Sequence, residues 1–298
     1  MKFFDLISQN LFFDSHCHLN AEQFDTDRAE VVDRAEKAGV KAIIDVGTDL
    51  KSSKKAVENA AKYEIVYVAV GVDPEILIPD SDLFDEKVFS LDDDEFEKWL
   101  ENIYAELAEL IEPVKIAKNE KVLMIGETGI DNYWLEKNEN LTSELKKKSL
   151  ERQIQLFRMH CKLAKKFKKP LTIHSRNAIE KCLAVLTEEK VDKNLAVFHS
   201  LTPDIGDDEK QFEEKVLKIL KSGYYVGVNG IITFKNADLI RNVYSKIIGE
   251  KIENINLQNL FTHKFILETD APFLAPEPYR GQRNEPAFLK HIFQLKQN

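Results

Sequence analysis

Short apolar runs alternate with longer segments of helical periodicity along almost the whole chain. The runs are rich in Val, Ile, Leu and Phe without polar alternation, which is typical of strands buried on both faces. The segments between them repeat apolar residues at spacings of three and four, as amphipathic helices do. The predicted strands are 12–18, 41–47, 66–72, 121–127, 170–175, 194–199, 224–229 and 264–269. The predicted helices are 26–38, 51–63, 94–118, 142–168, 177–189, 209–222, 236–249 and 285–295.

Eight strands that are each followed by a helix predict an α/β fold of the (β/α)8 TIM-barrel type. A chain of 298 residues suits one such barrel, so we expect a single domain over 1–298 with an acidic helical insertion at about 76–118. A doubly wound open sheet is the alternative. No Gly-x-Gly-x-x-Gly opens a helix after a strand, which argues against that alternative.

The charge of the chain limits its function. A formal net charge of −9 argues against a protein that coats nucleic acid, because such proteins present a strongly basic face. Basic clusters at 146–148 and 165–169 either steer a polyanion or are solvated helix faces.

The chain lacks recognisable targeting features. Its first residues lack the apolar core of a signal peptide, and no apolar run is long enough for a membrane span. Three scattered cysteines form no disulfide framework and no Cys-x-x-Cys pair. We therefore expect a cytoplasmic protein without a membrane partner, and nothing indicates a protein partner.

His16 and His18 lie one residue apart at the end of the first predicted strand. Residues i and i+2 of a strand share a face and lie about 6.6 Å apart, so both imidazoles could reach one cation. Cys17 would point the other way, into packing. The alternative is a pair of histidines bonded to backbone or water.

Four later strands also end in a histidine or a carboxylate: Glu127, His174, His199 and Asp270. A barrel brings all these strand ends to one mouth, which favours a metal site. A carboxylate such as Glu127 can bridge two cations, and Asp270 can bind a cation and accept the proton of an attacking water. Mixed imidazole and carboxylate ligands suit zinc, manganese, cobalt or nickel better than magnesium alone.

The sequence resembles the TatD family of metal-dependent deoxyribonucleases, within the amidohydrolase-like barrels. The motifs that carry the resemblance are Asp14-Ser15-His16-Cys17-His18-Leu19, Gly126-Glu127-Thr128-Gly129-Ile130-Asp131, Ile173-His174-Ser175-Arg176, Phe198-His199-Ser200, Leu267-Glu268-Thr269-Asp270-Ala271-Pro272-Phe273-Leu274-Ala275-Pro276 and Arg280-Gly281-Gln282-Arg283-Asn284-Glu285-Pro286. They follow the family order from about residue 12 to the end of the chain.

The resemblance implies two divalent metal ions, which would be zinc, manganese or magnesium. His16, His18, Glu127 and Asp270 would hold one metal, and Glu127, His174 and His199 would hold the second. The implied reaction is hydrolysis of DNA, single-stranded or at its ends, in the 3′→5′ direction, with Asp270 and Glu127 as catalytic residues.

Three arginines near these motifs are candidates for phosphate contact. Arg176 follows the His174 strand end, and Arg280 and Arg283 follow the Asp270 strand. A guanidinium group holds phosphate oxygens in a bidentate way. Arg283 has an alternative role in ordering the last loop. Tyr133 and Trp134 either stack a base or cover the barrel rim.

The chain departs from the family where members usually have Gly-x-His-Pro-His, since it has Gly71-Val72-Asp73-Pro74-Glu75. Asp73 therefore enters the candidate substrate site as a carboxylate. It would repel a phosphodiester, recruit another cation or indicate a different substrate. The alternatives are thus a bimetallic hydrolase of a small ester, amide or phosphoester, and a metal- or nucleic-acid-binding protein without catalysis. The sequence ends soon after the last motif, so we expect the final helix to be short or absent.

Overall fold

Eight parallel strands form one sheet in which every strand pairs with its neighbour in the sequence, in the order β1 to β8. The computed structural model describes residues 2–112 and 121–294. The strands are β1 Phe13–Cys17, β2 Ala42–Val46, β3 Val66–Val70, β4 Val122–Asp131, β5 Leu171–Arg176, β6 Ala196–Phe198, β7 Tyr225–Val228 and β8 Phe265–Leu267. The predicted (β/α)8 barrel is confirmed, and the open-sheet alternative is excluded.

The α-helices run between the strands as the periodicity predicts. They are α1 Phe3–Ser8, α2 Arg28–Lys37, α3 Leu50–Lys62, α4 Glu86–Ser90, α5 Asp93–Ile111, α6 Tyr133–Lys137, α7 Ser143–Phe167, α8 Ile179–Glu188, α9 Glu209–Lys221, α10 Asp238–Ile248, α11 Leu257–Thr262 and α12 Leu289–Phe293. The short helices α1, α4, α6 and α11 were not predicted, because each has too few residues to show a period.

Two predicted helices extend beyond the described residues. The acidic insertion at about 76–118 contains α4 and α5, and its last part, 113–118, lies outside the described residues. The predicted helix 285–295 is a 3-10 turn, Pro286–Phe288, followed by α12, and residue 295 also lies outside. Pro286 at the start of that turn lacks the backbone N–H that an interior helical position needs.

Burial explains why the strands appear as continuous apolar runs. All residues of β2 and all residues of β4 are buried, since the strands face the barrel interior on one side and helices on the other. Helix α1 packs across the strand beginnings, where Phe3 meets Phe13 and Phe4 meets Tyr225. This end of the barrel is therefore closed by apolar side chains.

The barrel closes where β1 meets the segment after β8. Cys17 and Ala271 form an isolated parallel bridge. The His18 N–H donates to the Ala271 carbonyl at 2.7 Å, and the Asp270 N–H donates to the His16 carbonyl at 2.8 Å. This seam places the first predicted metal ligands directly beside the last one. Within the described residues, no helix is both long and apolar enough to cross a membrane.

Candidate metal centre

The structure brings all six predicted metal ligands together at the carboxyl ends of the strands. In the first group, the Nε2 atoms of His16 and His18 lie 3.3 Å apart. Glu127 Oε2 lies 3.4 Å from His16 Nε2 and 3.6 Å from His18 Nε2. Asp270 Oδ1 lies 3.9 Å and 3.5 Å from the same two nitrogens. These four donor atoms surround a space that fits one cation, with two nitrogen and two oxygen ligands.

The second group is built on the other oxygen of Glu127. Its Oε1 lies 2.7 Å from His199 Nε2 and 3.2 Å from His174 Nδ1. The ring of His199 also stacks on that of His16, with centroids 4.0 Å apart. Because each Glu127 oxygen faces a different set of imidazoles, this carboxylate is placed to bridge two cations.

His199 provides an independent test of whether the residues fit metal ions. It is buried, and neither of its ring nitrogens has a hydrogen bond of acceptable geometry, although Nε2 lies close to Glu127. Buried polar atoms without partners are rare in native proteins and call for a ligand. The His and carboxylate donors also cluster tightly enough to hold metal, with ligand atoms within 4.8 Å of one another. The donor set therefore fits divalent cations.

Hydrogen bonds orient three of the imidazoles. His18 Nδ1 lies 3.0 Å from the Val46 carbonyl, which can only accept, so Nδ1 carries a proton and Nε2 faces the centre. His174 Nε2 lies 2.9 Å from Asp131 Oδ2, which leaves Nδ1 towards Glu127. The Thr172 hydroxyl lies 2.9 Å from His16 Nδ1. Such partners fix the ring orientation that a metal ligand needs.

The charges of the centre are strongly coupled. Burial by itself would raise the pKa of Glu127, but the imidazoles of His199 and His16 outweigh burial and hold the pKa well below its usual value. Burial lowers the pKa of His16 to about 4, with a further contribution from His199. Burial would also lower the pKa of His18, but the contacts with Asp270 and Glu127 raise it to about 9.

The backbone around Asp270 is held by residues to which sequence reasoning assigned no role. Asp14 is fully buried, and its carboxylate accepts from the Thr269 N–H at 2.8 Å and from the Thr269 hydroxyl. The Asn284 amide donates to the Thr269 carbonyl at 2.8 Å and to the Phe273 carbonyl at 2.7 Å. Asp14 and Asn284 lie inside the motifs, which was the available signal, but their partners are distant in sequence.

Glu268 is a buried carboxyl group near the centre. Its Oε1 accepts from the Ser200 N–H at 2.6 Å, and Oε2 has no partner. Burial raises its pKa well above the usual value, which favours the neutral form of the group. A Cβ at Gly227 would lie 2.2 Å from this carboxyl, so a larger residue there would displace the Glu268 side chain.

The carboxylates of the Asp73-Pro74-Glu75 segment lie beside the centre. Asp73 is buried, and its Oδ1 accepts from the Glu75 N–H at 2.7 Å, so it begins the 3-10 turn that follows. Burial, together with Glu127, raises its pKa well above the usual value. Donor atoms of Glu75, Asp131 and His174 cluster as a possible further ligand set. Because His174 Nε2 is bonded to Asp131, its ring can bind a cation only through Nδ1.

The three predicted phosphate-binding arginines have different surroundings. Arg176 lies over the ring of Tyr133 at 4.2 Å and over that of Trp134 at 5.0 Å. Arg280 is exposed and lies 3.6 Å from the ring centroid of Phe234. Arg283 donates to the Asp27 carboxylate at 2.8 and 2.7 Å and to the Gln23 carbonyl at 2.7 Å. The contacts of Arg283 are those of a residue that orders the last loop. Substrate contact stays a prediction for all three arginines.

This chain is similar to a known protein family, to curated relatives and to solved structures. The family described as TatD related DNase matches residues 13–296. The uncharacterized metal-dependent hydrolase YabD of Bacillus subtilis is 30% identical over 282 residues, which are 95% of this chain and 88% of the relative. The uncharacterized metal-dependent hydrolase YcfH of Escherichia coli is 28% identical, over 94% and 84% of the two chains. The crystal structure of YJJV, a TatD homolog from Escherichia coli, superposes with a TM-score of 0.69 at 25% identity, covering 95% and 88%.

Proposed function

Because this chain belongs to the TatD-related DNase family of metal-dependent hydrolases, we propose that it cleaves phosphodiester bonds of DNA with two divalent cations. The observation that carries the proposal is the position of Glu127, whose two oxygens face separate sets of imidazoles. His16, His18, Glu127 and Asp270 would hold one cation, and Glu127, His174 and His199 the other. Zinc, manganese and magnesium are the proposed metals.

When bound, two divalent cations supply the Lewis acidity that activates a water and neutralises charge on a phosphoryl group. The protein contributes the base. Burial would raise the pKa of Asp270, but the hydrogen bond from His18 and the nearby charge of His16 lower it, so the carboxylate is ionised at neutral pH. An ionised Asp270 at the edge of the ligand set accepts the proton of the attacking water.

Arg176 is the residue we assign to phosphate binding at the rim. Its guanidinium carbon lies 4.2 Å from the centroid of the Tyr133 ring, a contact that positions the group without consuming its hydrogen-bond donors. We propose single strands or strand ends as the preferred form of DNA, with attack from the 3′ end. A cytoplasmic location is the corresponding expectation.

A second candidate function is hydrolysis of a small ester, amide or phosphoester. Asp73 and Glu75 favour it, because two carboxyl groups beside the centre disfavour a polyanion if both are ionised. Burial raises the pKa of both groups, which reduces that repulsion. A binding protein without catalysis would have no use for an ionised Asp270 beside the histidines.

The deciding experiment follows nucleotide release from end-labelled single-stranded DNA. Metal-stripped protein is resupplied with manganese, zinc or magnesium, beside Asp270→Asn and the surface control Asp33→Asn. We expect metal-dependent, stepwise shortening that Asp33→Asn retains and Asp270→Asn loses. A folded, metal-loaded protein that cleaves only small esters or amides would contradict the DNase proposal and support the second candidate.

A further inference from the structure

The exposed large apolar side chains of the described residues all lie at the mouth of the barrel. Each lies after the carboxyl end of a strand, either in the loop that follows or in the first turn of a helix. They are Leu83, Trp134, Leu145, Ile205 and Phe273. Scattered surface apolar residues are ordinary, but their confinement to the end that carries the active site indicates a binding surface. Two of the five are aromatic, and they lie next to different parts of the centre.

Phe273 lies beside the first ligand group. Its side chain is 53% exposed, and its ring meets the ring of His18 edge-on at 6.0 Å. The backbone is fixed on both sides, since the Phe273 N–H donates to the Asp270 carbonyl at 2.8 Å and its carbonyl accepts from Asn284 at 2.7 Å. The ring is therefore held at a fixed place next to the metal ligands, with its surface open to solvent.

Trp134 lies beside the second ligand group. It is 44% exposed, and its backbone N–H donates at 3.0 Å to Asp131, the same carboxylate that holds His174. Arg176 lies over its ring at 5.0 Å, so a cation accompanies the exposed indole. The two aromatic side chains thus flank the centre, one next to His18 and the other connected to His174.

The chemistry of this surface fits unpaired nucleobases. Aromatic side chains beside a cationic backbone-binding site are the means by which proteins hold single strands, because every base has a face that can stack. A base pair inside a duplex has both faces already stacked on its neighbours. A small ester without a base would need neither ring.

We propose that Phe273 and Trp134 are stacking platforms for two unpaired nucleobases, one on each side of the phosphate at the metal centre. This inference rests on the proposed DNase function and adds the two side chains that would hold the unpaired bases. Arg176 would pair with the phosphate next to the base on Trp134.

The first test uses the fluorescence of Trp134 and does not require turnover. The chain has two tryptophans, and Trp99 stacks on Phe96 within α5, so Trp99→Phe leaves Trp134 as the reporter. In a magnesium-loaded Trp99→Phe protein, we expect saturable quenching by an oligothymidylate single strand whose phosphorothioate linkages resist hydrolysis. Quenching should be far weaker with a blunt duplex and with an abasic strand of equal length. Equal quenching by the abasic strand, or none by oligothymidylate, would overturn the platform at Trp134.

The second test compares KM for labelled single-stranded DNA. Phe273→Leu and Trp134→Leu, which keep apolar volume but remove the ring, should each raise KM about tenfold, as expected for the loss of one stacked base. Phe273→Tyr and Trp134→Phe should recover most of that loss. Asp33→Asn, at an exposed position of α2 outside this surface, is the control, and metal content is measured for every variant.

The outcomes separate this inference from the proposed function. If the wild-type protein cleaves DNA but the leucine variants keep its KM, the platforms are wrong and the DNase function stands. If the wild-type protein cleaves no DNA, the fluorescence titration still decides whether unpaired bases stack on Trp134. If the leucine replacements instead convert a dimer to a monomer in sedimentation without changing KM, the surface binds a second copy of the chain and the inference is overturned.

Discussion

Asp131 and His174 meet at 2.9 Å between Oδ2 and Nε2, while the opposite ring nitrogen of His174 lies 3.2 Å from Glu127. The other carboxylate oxygen of Asp131 accepts a hydrogen bond from the backbone N–H of Trp134 at 3.0 Å. Asp131 therefore connects a predicted metal ligand to the exposed rim. It is a positioning residue, since it acts on the centre only through the His174 ring.

We expect Asp131→Asn to weaken metal binding at the second ligand group by about 10- to 100-fold, the usual cost of losing a carboxylate behind a metal-binding histidine. The amide keeps the size of the side chain but loses its charge. Competition with a chelating dye measures the affinity directly, with Asp33→Asn as the exposed control. An unchanged affinity would mean that His174 is held by other contacts.

Replacing Glu127 by Gln should reduce the number of metal ions bound per chain. An amide has only one oxygen, so it cannot bridge two cations, and its N–H2 group would face one ligand set. Mass spectrometry of metal content after dialysis measures the stoichiometry, which should fall below that of the wild-type protein. Glu58→Gln, at an exposed position, is the matched control. Equal metal content in wild type and Glu127→Gln would contradict a bridging role.

Metal removal should lower thermal stability. Metal present at about 100 times its Kd stabilises the folded state by about 2.7 kcal/mol, which corresponds to a Tm shift of about 5 °C for a chain of this size. Differential scanning calorimetry with and without a chelator measures the shift. The shift should be smaller in Glu127→Gln, and an equal shift in both proteins would place the stabilising metal elsewhere.

The stability of the folded protein should also depend on pH in the acidic range, because of the ion pairs between α2 and the last loop. Asp27 accepts from Arg283 at 2.7 Å and lies 3.2 Å from an Arg34 nitrogen, and Arg34 itself pairs with Glu285 at 2.6 Å. The hydrogen bond from Arg283 lowers the pKa of Asp27 to about 2. Because this folded-state pKa is below the unfolded value of about 3.9, the stabilisation is complete above pH 4 and is lost as pH falls towards 2.

Asp27→Asn should therefore cost up to about 1 kcal/mol at pH 7, within the range of partly exposed ion pairs. The difference from wild type should shrink as the pH falls from about 4 to 2. Urea unfolding midpoints at several pH values measure both effects, and Asp33→Asn is the control. A difference that stays constant with pH would assign the loss to packing instead of charge.

The sequence was informative where a residue's role follows from its place on a strand. The six predicted ligands all lie in or just after the last residues of the predicted strands, and the barrel rule alone places these ends at one mouth. The strands and long helices were recovered because both periods are strong in buried runs of this length. The end of β4 was predicted too early, since residues 128–131 contain Gly and Asp and join the sheet only by pairing with β5.

The supporting contacts could not be predicted, because they join residues far apart in sequence. Thr172 meets His16 across 156 positions, and Arg283 meets Asp27 across 256. Such pairs depend on strand register and on the path of the last loop, and neither leaves a periodic signal in the chain. Asp14 and Asp131 lie inside recognisable motifs, but the hydrogen-bond partners that tie them to other parts of the barrel are distant in sequence and come close only in the folded barrel.

The seam between β1 and the segment after β8 links assembly of the metal centre to closure of the barrel. His16 and His18 belong to the first strand, whereas Asp270 follows the last one, and backbone hydrogen bonds join the two across the seam. In a nascent or partly unfolded chain, Asp270 is not beside His16 and His18 until the last strand docks. We therefore expect the proposed first metal site to be complete only when the last strand has docked and the barrel has closed.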